Sequence, residues 1–291
     1  MASTKKLADQ EADLYLEAGK IASRIRSEFS REVREGRRLL DLAEDLESEI
    51  IAQGARPAFP CNVGVNEIGA HYTPLPSDTS EFSASDLVKV DFGLHLDGYI
   101  VDTAFTVALS SMDQKIVEGV NECLRTIVQN LRVEDKIQRV GALANSVSEK
   151  YGFKVIENLQ GHEIRRYVLH AGVSVPNVPN SDGRRFHDGM VVAMEPFFTY
   201  SFGAGRVMES DLTTIFKSPE GEKNNKLHAL QGFHGLPICE RWAAKLDSHM
   251  TRQNLEVLQK YPMLVEERGA PIAQAETTLL FRSDQVIDLV S

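Results

Sequence analysis

The sequence predicts a mixed α/β fold (α+β), built over 291 residues as one sizeable domain or two fused halves. Three observations carry that reading. Residues 88–107, VKVDFGLHLDGYIVDTAFTV, form two apolar, β-prone runs around an Asp-Gly turn signal. Four other segments space their apolar residues as helices do. Two later runs, GMVVAMEPFFTYS and AQAETTLLF, have strand composition and hold one carboxylate each, Glu195 and Glu276.

The elements follow in order. Leu7, Leu14, Leu16, Ala18, Ile21, Ala22 and Ile25 predict a long amphipathic helix over about residues 6–32. A second helix is expected over 36–53, with Gly54 placed as a left-handed C-terminal cap. FPCNVGVNEIGAHYTPLP reads as a short strand and a Pro-rich loop holding His71, a loop histidine that alone earns no role. In the hairpin, a four-residue loop from His95 to Gly98 would set Asp91 directly opposite Asp102. Two like charges fixed on one buried face need a compensating cation, and a divalent metal is the usual answer; a solvated hairpin face is the bland alternative.

Residues 112–131 and 133–151 read as two helices, the second opening near Glu134 and Asp135. FKVIENLQGHEIRRYVLHAG is strand-like and carries His162 and His170, but Gly161 and the arginine pair leave their common face unassigned. GMVVAMEPFFTYS reads as one buried strand, and its lone Glu195 should be paired or metal-bound. Residues 218–265 turn polar, contain the helix-like patch ERWAAKLDSHMTRQNLEVLQKY, and read as an inserted helical subdomain. AQAETTLLF is a strand around Glu276, and a turn at Ser283-Asp284 leads into the closing strand QVIDLV.

Composition narrows the function. A net charge of −10 opposes phosphate approach and disfavours nonspecific nucleic-acid binding; the basic pairs in RRYVL and GRRF read as solvated faces. Three cysteines without a CxxC argue against a disulfide framework and fit a reducing cytoplasm. No apolar signal core or membrane-length apolar run is present, so a soluble protein is expected.

The lone polar residues of the expected buried strands are Asp91, Asp102, His162, Glu195 and Glu276. Four carboxylates and one imidazole suit a pair of first-row divalent ions better than a structural zinc. Such a pair activates water and polarises a carbonyl, which is hydrolysis chemistry.

DFG with a second Asp eleven residues on, then GHEIRRYVLHAG, MEPF and AQAETT, resembles the ligand order Asp, Asp, His, Glu, Glu of the pita-bread metallopeptidases. Within them the sequence is most similar to the type II methionine aminopeptidases. FPCNVGVNEIGAHYTP resembles their substrate-pocket segment, NLQGHEI their histidine-ligand segment, and GLPICERW lies in a helical insertion of the type II sort. The resemblance spans nearly the whole chain. It implies a pita-bread catalytic domain over 1–291, a pseudo-symmetric antiparallel sheet covered by helices, with the type II helical insertion at 218–265.

The resemblance further implies that Asp91 binds one metal, that Asp102 and Glu276 bridge two, and that His162 and Glu195 complete the other. The cofactors are then two divalent ions, Mn, Fe, Co or Zn. Glu195 is implied as proton shuttle, His170 as support for the scissile carbonyl, His71 as a contact beyond the cut, and Phe59 and Leu169 as walls of a methionine slot. The implied activity is removal of initiator methionine ahead of a small second residue, as in this chain's own Met1-Ala2-Ser3. Nascent N-termini are the implied partners, with the ribosome a further candidate. No membrane and no sequence-specific nucleic acid is expected, and a cytoplasmic monomer is.

One departure is visible. The family commonly continues the last glutamate with histidine, whereas this chain has Thr277. The chain starts directly with helices, which counts against prolidases and aminopeptidase P, and it has no Lys-rich extension, which suggests an archaeal-like short form. The competing readings are an Xaa-Pro peptidase with the same ligands and a catalytically silent scaffold, which would typically lack some of them.

Overall fold

A computed structural model describes residues 7–218, 225–247 and 250–291. Met1-Ala2-Ser3, Lys6, and residues 219–224 and 248–249 of the expected insertion lie outside the described residues. Helices α1 (Asp9–Phe29) and α2 (Leu39–Ala52) come first. The α1 stripe of Ala12, Tyr15, Ala18, Ile21, Ala22 and Ile25 is buried, as its spacing requires. After α2, Gly54 adopts φ +81° and donates its N–H to the Ile51 carbonyl at 3.0 Å, the left-handed cap expected there.

Strands β1 (Arg56–Pro57), β2 (Asn62–Val65) and β3 (Ile68–Ala70) lead into the hairpin β4 (Leu87–Leu96) and β5 (Tyr99–Ala108). The turn is two residues long, with Leu96 paired to Tyr99 and positive φ at both Asp97 (49°) and Gly98 (86°). Such a turn matches the twist of the strands, so it displaces the predicted four-residue loop. Asp91 therefore pairs with Ala104, and Asp102 with Gly93. The aspartates are offset by two residues rather than opposite. Because the side-chain period is two, they still share a face.

Helices α3 (Gln114–Asn130) and α4 (Gln138–Tyr151) follow. The second starts later than predicted, since Glu134 has φ +70° and donates its N–H to the Phe186 carbonyl at 2.8 Å, while Ile137 donates to Arg184 at 2.8 Å. Tertiary hydrogen bonds thus hold residues 134–137 out of the helix. The strands β6 (Lys154–Val155), β7 (Gln160–Ile164), β8 (Ser174–Pro176), β9 (Val191–Met194) and β10 (Phe197–Thr199) come next. GMVVAMEPFFTYS is consequently two strands, not one. Pro196 offers no N–H to a ladder, and at Glu195-Pro196 the chain passes from the sheet of β9 to that of β10.

Strand β11 (Val207–Lys217) is followed by a 3-10 turn at Asn225–Phe233, β12 (Pro237–Cys239), and the short helices α5 (Glu240–Leu246) and α6 (Arg252–Leu255). Then come β13 (Lys260–Glu266), β14 (Ile272–Gln274), β15 (Thr277–Arg282) and β16 (Gln285–Asp288). The helix-like patch is shorter than its periodicity suggested. Asp247 ends α5, Thr251 opens a capping box for α6, and Tyr261 already belongs to β13. Phe216, Leu230, Ile238, Ala243, Met250 and Leu255 form a small core of their own there.

Every strand pair among the described residues is antiparallel. β4 joins β5, β1 and β2; β15 joins β16 and β9, and β9 continues through β7 to β8; β10 lies between β14 and β6; β11 joins β12 and β13, and β13 joins β3. One large core packs α1 and α2 onto the hairpin, and a second packs α3 and α4 onto β9, β10, β14 and β15. AQAETTLLF is also split, at Ala275-Glu276, between β14 on β10 and β15 on β9. Glu195 and Glu276 therefore sit at neighbouring sheet breaks. No helix among the described residues is long and apolar enough to cross a membrane.

Candidate metal centre

The two breaks hold their carboxylates because side chains satisfy the backbone freed there. Asn177 Nδ2 donates to the Glu195 carbonyl at 2.8 Å, and the Thr103 hydroxyl donates to the Glu276 carbonyl at 2.8 Å. Ala104 and Glu276 form a bridge between the hairpin and the later strands. Thr278 accepts the Asp102 N–H at 2.8 Å and donates to its carbonyl at 2.7 Å. The hairpin aspartates are thereby locked beside Glu276.

Strand β7 delivers His162, which pairs with Ala193 of β9. Gly161 is what lets it approach: a Cβ there would lie 2.3 Å from the Ala193 carbonyl oxygen. The chain then reverses at Arg165–Val168, with Tyr167 at φ +56°, and returns His170 to within 4.3 Å of the His162 ring, centroid to centroid. The two histidines meet across a turn rather than along a strand.

Asp91, Asp102, His162, Glu195 and Glu276 converge on a cavity of about 390 Å³, which Phe59, His71, Leu169 and His170 also line. Nε2 of His162 stands 3.6 Å from Asp102 Oδ2 and 3.5 Å from Glu195 Oε1. Asp102, His162 and Glu276 each offer a ligand atom within 4.8 Å of the others. Burial pushes the carboxyls of Asp91, Asp102, Glu195 and Glu276 upward, and mutual repulsion adds to this for the last three. Burial lowers His162 to about 3, and it also lowers His71. Oδ1 of Asp91 and Oδ1 of Asp102 are buried without a hydrogen-bond partner. Repelling oxygens, orphaned acceptors and a neutral imidazole fit a bound divalent cation.

These shifts set a pH dependence. Carboxyls raised in the folded state hold protons that the unfolded chain has released, so metal-free protein loses stability as pH rises toward their raised values. His162 and His71 act oppositely, but their contribution stops changing above their ordinary value of 6.5. The thermal stability that saturating divalent metal adds to chelator-treated protein should therefore grow from pH 6.5 to about 8.5, a difference in which buried Lys89, lowered to about 7 and acting oppositely, cancels because it is common to both samples. Identical slopes with and without metal would contradict the assignment.

The cavity has an apolar side. Phe59 lies over Gly93, where a Cβ would approach its ring to 2.4 Å, and Leu169, Phe197, Ile215, Pro237 and Leu264 extend that wall. His71, at φ +63°, directs Nδ1 to the Pro262 carbonyl at 3.2 Å, and its ring meets Tyr261 edge-on at 5.4 Å. His170 faces the same tyrosine at 6.4 Å. The sequence reading passed over Tyr261, Pro237 and Asn62. The alternation in KYPMLVEE signals a strand at Tyr261, and a lone asparagine in the apolar run PCNVGV marks Asn62. Thr277, in place of the usual histidine, donates its hydroxyl to Asp288.

Metallopeptidase family M24 matches residues 13–215, more than half of the chain. The chain belongs to metallopeptidase family M24. This M24 chain is 38% identical over 283 residues to a methionine aminopeptidase of Methanocaldococcus jannaschii, covering 93% of itself and 95% of that protein. Its fold matches the crystal structure of methionine aminopeptidase from Rickettsia prowazekii with a TM-score of 0.75 at 18% identity, over 99% of both chains. A prolidase from Pyrococcus furiosus matches with a TM-score of 0.63 at 17% identity, over 98% of this chain and 65% of that one. As a family M24 member the protein is a hydrolase that uses divalent metal, and Asp102, His162 and Glu276 form a candidate cluster for it.

Proposed function

We propose that this chain is an aminopeptidase that removes the initiator methionine from nascent polypeptides whose second residue is small. The observation that carries the reading is the convergence of four carboxylates and one imidazole on a cavity with one apolar wall. Its similarity along almost its full length to methionine aminopeptidases supports the same reading.

In this proposal Asp91 would hold one ion, His162 and Glu195 would hold a second, and Asp102 and Glu276 would serve both. Irving–Williams order and cellular supply choose among Mn, Fe, Co and Zn. When bound, the ions bring the pKa of a water toward neutrality and polarise a carbonyl oxygen. Glu195, whose Oε1 stands 3.5 Å from His162 Nε2 on the cavity wall, takes the proton of the attacking water and gives it to the departing amine. His170, exposed at the rim, stabilises the developing oxyanion, and His71 contacts the peptide beyond the cut. Phe59 and Leu169 bury the methionine thioether, which needs no strong partner. The segment between β11 and β13 supplies Pro237 to the cavity wall. The protein works as a cytoplasmic monomer on emerging N-termini, at or near the ribosome.

The test compares Met-Ala-Ser, Met-Leu-Ser and Xaa-Pro dipeptides on metal-loaded enzyme. Cleavage of the first alone supports the reading. Cleavage of the dipeptides with Met-Ala-Ser left intact would replace it by a proline-specific one. His170→Ala should lower kcat about 10²–10³-fold while KM changes only a few-fold, because the oxyanion forms only during reaction. An unchanged kcat removes His170 from the chemical step.

A further inference from the structure

We propose that a second cavity, between α2, β1 and the segment linking β11 to β13, binds a small amphipathic carboxylate. Its volume of about 530 Å³ is in the range that buries a small molecule, and it shares no lining residue with the metal centre. The inference stands independently of the aminopeptidase reading.

One wall of this cavity is apolar. Phe233 and Trp242 stack there, 5.8 Å apart and 12° from parallel, and Leu236 and Pro57 extend the wall. Ile51 and Leu246 also line it while 62% and 51% exposed, which leaves apolar surface open to an incoming body.

The polar side carries one unmatched cation. Lys245 pairs with Glu44 at 2.9 Å, and Glu47 is held by Arg241 at 2.7 Å and by the Trp242 indole at 2.8 Å. Those charges neutralise each other. Arg56 of β1 lines the cavity too, and its exposed guanidinium has no hydrogen bond or ion pair among the described residues.

His95, opposite Arg56 in the β1–β4 register, lines the same cavity and is only 7% exposed. Burial, with the Arg56 charge adding to it, lowers this ring to about 4, so the imidazole is neutral at ordinary pH. Its Nδ1 accepts the Gly98 N–H at 3.0 Å, which puts the ring proton on Nε2. That N–H has no partner among the described residues, and unlike the orphaned atoms of the metal centre it is not sealed from solvent.

Charge selects the head group. A guanidinium beside a neutral donor suits one carboxylate, which accepts from both. Glu44 and Glu47 on the same wall oppose a second negative charge, so a phosphate dianion fits less well. An aryl or alkyl body on the carboxylate lies against Phe233 and Trp242.

Trp242 is the single tryptophan of the chain, so its emission reports on this cavity. The experiment titrates metal-loaded protein with 4-phenylbutanoate and with 4-phenylbutanamide, its neutral isostere, by tryptophan emission and by calorimetry. The acid should bind saturably with a Kd below about 1 mM, and the amide about tenfold or more weakly. Arg56→Gln should shrink that preference about threefold to tenfold. His95→Asn, whose side-chain oxygen can keep the Gly98 bond while Nε2 is lost, should weaken the acid by about the same factor. Should His95→Asn disturb the hairpin turn, Arg56→Gln decides, because its side chain is exposed.

No saturable binding of the acid by either readout up to about 10 mM overturns the inference. So does equal affinity for acid and amide, or a preference that Arg56→Gln leaves unchanged. Chelator-stripped protein should bind the acid as well as loaded protein does. Binding that requires metal would place the acid at the metal centre and overturn the inference.

Discussion

Glu195→Gln should lower methionine release by about 10³-fold or more and leave the fold intact. The substitution keeps shape and removes both the charge and the ability to carry a proton. Removing a general acid–base group alone costs about 10²–10⁴ in rate. Here the same side chain is also a proposed metal ligand, so the upper part of that range is expected. The fold should not suffer, because Glu195 is one of several carboxylates that repel each other in a buried site and a neutral amide relieves that repulsion. Steady-state release beside a thermal melt checks both halves. Activity within tenfold of wild type would remove Glu195 from the mechanism.

Arg241→Met carries the largest expected effect on stability. Arg241 in α5 and Glu47 in α2 are 3% and 5% exposed. They meet through two bonds of 2.7 and 2.8 Å. The guanidinium also donates to the Pro74 carbonyl at 2.9 Å and the Thr73 hydroxyl at 2.7 Å, while Glu47 accepts the Cys61 N–H at 3.1 Å and the Trp242 indole at 2.8 Å. This pair therefore ties the inserted segment to α2 and to the strand–loop segment that carries Asn62 and His71. Removing only the arginine leaves a buried carboxylate uncompensated, at a cost of about 3–5 kcal/mol. Urea unfolding should show that loss in the single variant and a smaller one in Glu47→Gln/Arg241→Met, where the stranded charge is gone. A single variant within about 1 kcal/mol of wild type would contradict the account.

Much of the fold and of the candidate site could be read from local signals. The stripe of α1, the Gly54 cap and the hairpin with its Asp-Gly turn each depend on nearby residues, and each is present. Isolated carboxylates in apolar runs marked Asp91, Asp102, Glu195 and Glu276, because a buried charge needs a partner wherever its strand goes. What depended on distant contacts was not legible. Hydrogen bonds to residues 184 and 186 delay the start of α4, and the sheet switch at Glu195-Pro196 needs β14 and β15 to receive the two strands. The meeting of His162 with His170 follows from a chain reversal that composition does not announce. Tyr261 escaped notice because helical spacing runs on upstream of β13, and Asn62 because an orphaned oxygen is visible only once the walls around it are in place.

The most direct test of the central claim measures methionine release from Met-Ala-Ser by chelator-stripped protein, with Mn, Co, Fe or Zn returned under anaerobic conditions and Glu195→Gln alongside. The expected result is no release without metal, recovery with at least one of the four, and none in the variant. Folded protein that releases no methionine with any of these metals, or that releases it equally well without them, would contradict the claim.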